Sequence, residues 1–118
     1  MTTGIYPCRQ LIYMEYRLYK IKPEKRHIWL DWCKEVMEHH TEEAITTLKE
    51  EDLIHESCII FGDESNGYVL YKHKPAEGKK KKKANFEREL NKKHFEKFYE
   101  CLEKVEGQED GYTLDVTN

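Results

Sequence analysis

No stretch of this sequence approaches the roughly 18 or more apolar residues of a membrane-spanning helix, so no helical span is expected within it. The opening residues, Met1-Thr-Thr-Gly-Ile-Tyr-Pro-Cys8, lack the basic patch and long apolar run of a secretory signal, and a cytoplasmic location is expected. There is no C-x-x-C, H-x-x-x-H or H-E-x-x-H spacing, which removes the compact zinc motifs. The six glycines are scattered and form no G-x-G-x-x-G, which removes the dinucleotide-binding loop. Neither Ser57 nor Ser65 sits in a G-x-S-x-G setting, so the serine elbow of hydrolases is missing. No sign of charge dominates. Lys and Arg number 20 against 23 Asp and Glu, and the net charge of -3 argues against non-specific nucleic-acid binding.

What is present points to a packed core. At 118 residues the chain has about the length of one domain. Charged residues make up 36%, above the usual share of about a quarter, which predicts a heavily solvated surface. The apolar residues are strongly periodic, which argues against disorder. The four cysteines, Cys8, Cys33, Cys58 and Cys101, are widely spread and read as free, mostly buried thiols of a reduced compartment.

The period of the apolar residues changes along the chain. Residues 1–13 hold Gly4 and Pro7 and no sustained pattern, and read as an N-terminal extension; residues 14–118 read as one α+β domain. A first strand is predicted over about 15–22, with Tyr16 and Leu18 on one side and Tyr19 and Ile21 on the other. Pro23 ends it. A single long helix is predicted over about 24–50, its apolar stripe running through Ile28, Trp29, Trp32, Val36, Met37, His40, Ala44, Ile45 and Leu48. A second strand at 53–61 and a third at 68–74 flank the turn-rich Gly62–Gly67, where Asn66-Gly67 can take positive φ, and form a hairpin. Residues 75–84 read as an exposed Lys-rich loop. A second helix starts near Asn85 and stops at Gly107, and a short fourth strand is predicted over 112–116.

Two helices and four strands in this order predict a ferredoxin-like β-α-β-β-α-β plait, a four-stranded antiparallel sheet with both helices on one face. The Cys58-Ile59-Ile60-Phe61 run and the strand tyrosines place apolar groups on both sheet faces. Burying the second face against another copy of the chain is the simplest remedy, so a homodimer is expected. A ligand groove is the alternative.

Arg17-Leu-Tyr-Lys-Ile-Lys-Pro-Glu-Lys25, Trp29-Leu-Asp-Trp32, Glu43-Ala-Ile-Thr-Thr-Leu-Lys-Glu50 and Gly67-Tyr-Val-Leu-Tyr71 together resemble a small prokaryotic family of unknown function. Its members look like dimeric α+β barrel proteins. The resemblance spans about 15–116, with the Lys-rich loop and the first thirteen residues as departures. It implies the fold and the dimer, and carries over no catalytic residue. The wider barrel superfamily includes small monooxygenases, haem-degrading enzymes, dehydratases and ligand-sensing modules, which implies a pocket between sheet and helices and not a reaction.

Candidate site residues follow from the stripes. His40 falls on the first helical stripe and His94 on the second, so the two could converge; a satisfied core-edge role is the commoner fate of such histidines. His39 and His40 point about 100° apart and do not chelate together. No metal site and no cofactor is expected. Trp32, His40, His55 and Tyr71 are the first candidates to line a pocket for a small organic ligand. Lys79–Lys83 carries no interleaved aromatic and reads as a solvated loop. The functional expectation is a homodimeric ligand-binding or structural module. The alternative is a small cofactor-light enzyme, of monooxygenase or isomerase type, acting on an aromatic or other organic molecule.

Overall fold

The alternation of Tyr16 and Leu18 with Tyr19 and Ile21 produces β1, Glu15–Ile21, in a computed structural model that describes residues 14–116. The expected extension, residues 1–13, lies outside the described residues. After Pro23 the chain turns sharply. Glu24 takes φ 65°, and the Lys25 N–H donates to the Lys22 carbonyl at 3.1 Å. Helix α1, Arg26–His39, starts there.

The expected single helix is broken at His40, whose φ of -132° separates α1 from α2, Thr41–Glu50. The backbone ladder survives on both sides. His40 N–H donates to the Val36 carbonyl at 2.9 Å, and Ala44 N–H to the His40 carbonyl at 2.8 Å. The Thr41 hydroxyl donates to the Met37 carbonyl at 2.7 Å, a back-bond that bends helices. No Gly or Pro marks this break.

Strands β2, Leu53–Gly62, and β3, Gly67–Pro75, form the expected hairpin. Its turn relies on Gly62, at φ 85°, where Asn66-Gly67 was expected to supply the positive φ. The Asp63 carboxylate accepts the Ser65 and Asn66 N–H groups, each at 3.0 Å, and fixes the loop.

Helix α3, Glu89–Cys101, begins four residues later than expected from Asn85 (89 against 85). Asn85 still caps locally, its side-chain oxygen accepting the Glu87 N–H at 3.0 Å. The helix also ends early. Leu102 is extended and opens β4, Leu102–Lys104, opposite Ile21. The strand expected over 112–116 is therefore corrected. Lys22 N–H donates to the Cys101 carbonyl at 2.8 Å and draws the chain onto β1 as soon as α3 stops. Leu102 lies at helical spacing from Phe98, but buries its side chain from a strand instead. Tyr112, Leu114 and Val116 are left 84, 83 and 93% exposed.

The result among the described residues is an α+β arrangement: a four-stranded antiparallel sheet, ordered β2-β3-β1-β4, with three helices where two were expected. Ile21, Val69, Tyr71 and Leu102 from the inner sheet face pack with Trp29, Trp32, Leu90 and Cys101 from α1 and α3. Trp29, Val69 and Cys101 are fully buried. The outer face has no helix across it and leaves Tyr16, Leu18, Ile59 and Phe61 exposed. Among the described residues, no helix is long and apolar enough to cross a membrane.

Candidate functional site

Register decides which side chains meet the helices. Pairing of Cys58 with Tyr71, Glu56 with His73 and Arg17 with Tyr71 puts all five on the inner face with Tyr19 and Ile60. Between this face and the helices lies a cleft of about 710 Å³. Its helical walls come from Trp32, Cys33, Val36, Ala44, Leu90, His94, Phe95 and Phe98. This volume falls within the range of small-molecule sites, and apolar and aromatic walls share the lining with a substantial set of charged and polar side chains.

A hydrogen-bond chain runs along the cleft wall. The Trp32 indole N–H donates to His94 Nδ1 at 3.0 Å. Indole has no acceptor, so Nδ1 carries a lone pair and neutral His94 carries its proton on Nε2. Nε2 faces the Tyr71 hydroxyl oxygen at 3.5 Å, a long contact in which His94 donates. Burial pushes the His94 imidazole below its ordinary value, against the opposing pull of the Glu56 charge. A proton on Nδ1 would also confront the Trp32 N–H, so burial and geometry both favour the neutral ring. Tyr71 is held well above its ordinary value, mainly by burial.

A second pair closes the floor. His73 stacks on Tyr71, with ring centroids 5.7 Å apart, and its Nε2 lies 2.8 Å from a Glu56 oxygen. Burial pushes the Glu56 carboxyl up, but the His73 hydrogen bond and nearby positive charge outweigh it, leaving the carboxyl below its ordinary value.

The lysine loop forms part of the mouth. Lys79 and Lys82 reach Asp52 at 3.7 and 3.2 Å, and Lys81 reaches Glu51 at 3.0 Å. The Lys82 N–H donates to the Glu51 carbonyl at 2.9 Å. The side chains are exposed as expected, but the loop is tied down at the junction of α2 and β2. Arg17, Lys80 and Glu15 also line the cleft, and no side-chain hydrogen bond or ion pair is found for them among the described residues. Lys79 and Lys82 share Asp52, so cations outnumber carboxylates at the mouth.

Of the four expected pocket residues, the structure brings Trp32 and Tyr71 into the cleft, where His94 joins them. His40 does not line it. Its ring lies 6.3 Å from that of Trp32, and its Nε2 meets Glu35 at 3.2 Å. His55 is on the outer sheet face beside Ser57, which it contacts at 2.6 Å. The cause is a bulge: register slips between Leu53 and His55, so a buried Leu53 is followed by an outward His55. Glu56, Cys58 and His73 were not singled out from sequence. The hairpin register would have found them, since it places Cys58 and Glu56 opposite Tyr71 and His73. Among the described residues, no group of three or more His, Cys, Asp or Glu side chains could hold a metal ion.

A family model described as a family of unknown function, DUF6176, matches residues 12–116. The chain belongs to DUF6176. The matched span takes in every strand and helix among the described residues of this DUF6176 chain, and also the exposed segment through Val116. No curated protein and no solved structure matches it.

Proposed function

We propose that this DUF6176 protein binds a small organic acid with an aromatic or flat apolar body in the cleft between sheet and helices. One observation carries the reading: the 710 Å³ cleft walled by Trp32, Tyr71, Phe95 and Phe98 has an uncompensated cation at its mouth. Aromatic walls stack flat ligands, and Arg17 can take a carboxylate through a charge-assisted hydrogen bond. Thermal shift with 2-naphthoate, indole-3-acetate and phenylacetate tests it. A stabilisation that rises with concentration for at least one acid is expected, and none at millimolar concentration for all three would contradict it.

The enzyme alternative, a cofactor-light monooxygenase or isomerase, needs a free base in the cleft. His94 has both ring nitrogens engaged, one by Trp32 and one by Tyr71, which favours binding over proton abstraction. Pairing of Lys79, Lys81 and Lys82 with Glu51 and Asp52 counts against a nucleic-acid partner. The separated thiols and the absence of any paired disulfide motif suit a cytoplasmic protein.

The strand order supports a ferredoxin-like plait of the dimeric α+β barrel type as the finer fold. The proposal includes a homodimer formed through the outer sheet face. Tyr16, Leu18, Ile59 and Phe61 form an exposed apolar patch there, of a kind soluble monomers rarely leave uncovered. The strand-like alternation of Tyr112, Leu114 and Val116, all exposed, supplies a segment that suits the free edge of a second copy. Light scattering after size exclusion at micromolar concentration should give twice the chain mass of 14.3 kDa, and a monomeric mass would overturn this part.

A further inference from the structure

Trp32 from α1, Tyr71 from β3 and His94 from α3 meet at the cleft wall. What each group can donate or accept gives the chain a direction. An indole nitrogen only donates, so Trp32 occupies the lone pair of His94 Nδ1 at 3.0 Å and leaves the neutral ring its proton on Nε2. That proton faces the Tyr71 hydroxyl oxygen at 3.5 Å. A hydroxyl has one proton and two lone pairs. With a lone pair turned to His94, the Tyr71 proton points elsewhere, and no oxygen or nitrogen acceptor is found for it among the described residues. Cys58, opposite Tyr71 across the hairpin, offers only sulfur, a weak acceptor. The phenol ring is also held in place. His73 stacks on it at 5.7 Å, and Tyr19 and Trp29 meet it edge-on at 6.0 and 6.5 Å. Tyr71 is 5% exposed and lines the cleft. A buried donor left without an acceptor is costly, and an oxygen of a ligand in the cleft would relieve that cost. Arg17 stands directly opposite Tyr71 in the register of β1 and β3, on the same face. Opposed residues of antiparallel strands have Cβ atoms about 4.5–5.5 Å apart, so both heads can reach adjacent oxygens of one small group.

We infer that the Tyr71 hydroxyl is a preset hydrogen-bond donor to the ligand, and that the cleft selects aromatic 2-oxo acids over plain carboxylic acids. This rests on the organic-acid reading of the cleft and names the acid's class. Arg17 takes the carboxylate, and Tyr71 donates to the neighbouring 2-oxo oxygen. A plain acid fills the same space and leaves the Tyr71 donor unmet. Burial holds the Tyr71 hydroxyl well above its ordinary value, so the proton stays on oxygen at neutral pH. Trp32 is a positioning residue in this scheme and acts through His94. Without the indole N–H, the imidazole is free to carry its proton on Nδ1. Nε2 then becomes an acceptor, and the Tyr71 proton turns to His94 and away from the ligand.

Phenylglyoxylate and phenylacetate test the inference. They share the ring and the carboxylate and differ at one carbon, and phenylglyoxylate has no hydrogen there, so it does not enolise. Calorimetric titration should give phenylglyoxylate at least about 5-fold the affinity of phenylacetate. Tyr71→Phe should weaken phenylglyoxylate at least about 5-fold and phenylacetate less than about 2-fold, which removes the preference. Trp32→Phe alters the cleft wall for both acids, so the readout there is their affinity ratio, which should fall towards one. In the unsubstituted protein, nitrogen-15 NMR should show His94 neutral and protonated on Nε2. Equal affinity for the two acids, a preference that survives Tyr71→Phe, or a His94 ring protonated on Nδ1 would overturn the inference and leave the organic-acid reading standing. Binding of neither acid by the unsubstituted protein would overturn both.

Discussion

Trp29→Ala is expected to lower the unfolding free energy by about 3–5 kcal/mol, the range for truncating a large buried aromatic. Trp29 is 0% exposed. Its ring meets Tyr71 at 6.5 Å, Phe98 at 6.2 Å and His94 at 6.0 Å, so α1, α3 and the sheet all lose contacts at once. Small domains are stable by only about 5–15 kcal/mol, so the variant stands close to unfolding. Trp29→Phe should cost much less. It keeps a ring and removes an indole N–H that is buried without a well-aligned partner, a group whose desolvation costs about 1–3 kcal/mol. Urea midpoints at unchanged m-value measure both. A loss below about 1 kcal/mol for Trp29→Ala would mean that the aromatic cluster does not hold helices to sheet.

Arg17→Ala is expected to weaken binding of 2-naphthoate at least 10-fold while leaving 2-naphthol within about 3-fold. Arg17 lies on the inner face opposite Tyr71, lines the cleft and is exposed, with no ion pair found among the described residues. A charge-assisted hydrogen bond contributes about 1.5–3 kcal/mol, and 1.4 kcal/mol is tenfold in affinity. The neutral naphthol shares the apolar body and lacks the carboxylate, so the pair of ligands separates charge from shape. Calorimetric titration of both ligands reads the result. Equal losses for the two would show that Arg17 shapes the cleft without selecting acids.

Strands and faces were legible where period two was clean. The opposition of Tyr16 and Leu18 to Tyr19 and Ile21 is as expected, and so is the hairpin of β2 and β3. What sequence hid were features that a single atom or a single register step creates. The long helix breaks at His40, where φ is -132°, without any Gly or Pro to mark it. One bulge after Leu53 sends His55 to the outer face and away from the cleft. Leu102 satisfies the helical period and the strand period alike, and the hydrogen bond from Lys22 to Cys101 settles it as strand. The alternating Tyr112–Val116 reads as a strand by pattern, but nothing among the described residues pairs with it. Of the residues expected from sequence to line a pocket, Trp32 and Tyr71 line the cleft, since aromatics on buried stripes stand out. The neutrality of His94 depends on which of its nitrogens Trp32 approaches, a relation between residues 32 and 94 that local spacing does not encode.

Proton–nitrogen correlation NMR during titration with 2-naphthoate tests the cleft as a ligand site most directly, because both indole N–H groups report separately. The Trp32 N–H, bonded to His94 in the cleft wall, should shift or broaden in step with binding, together with the amides of Phe95 and Phe98. The amides of Tyr16 and Phe61, whose side chains are on the outer face, should stay in place. Shifts confined to the outer face, with the Trp32 indole unmoved at saturating ligand, would contradict the cleft as the binding site.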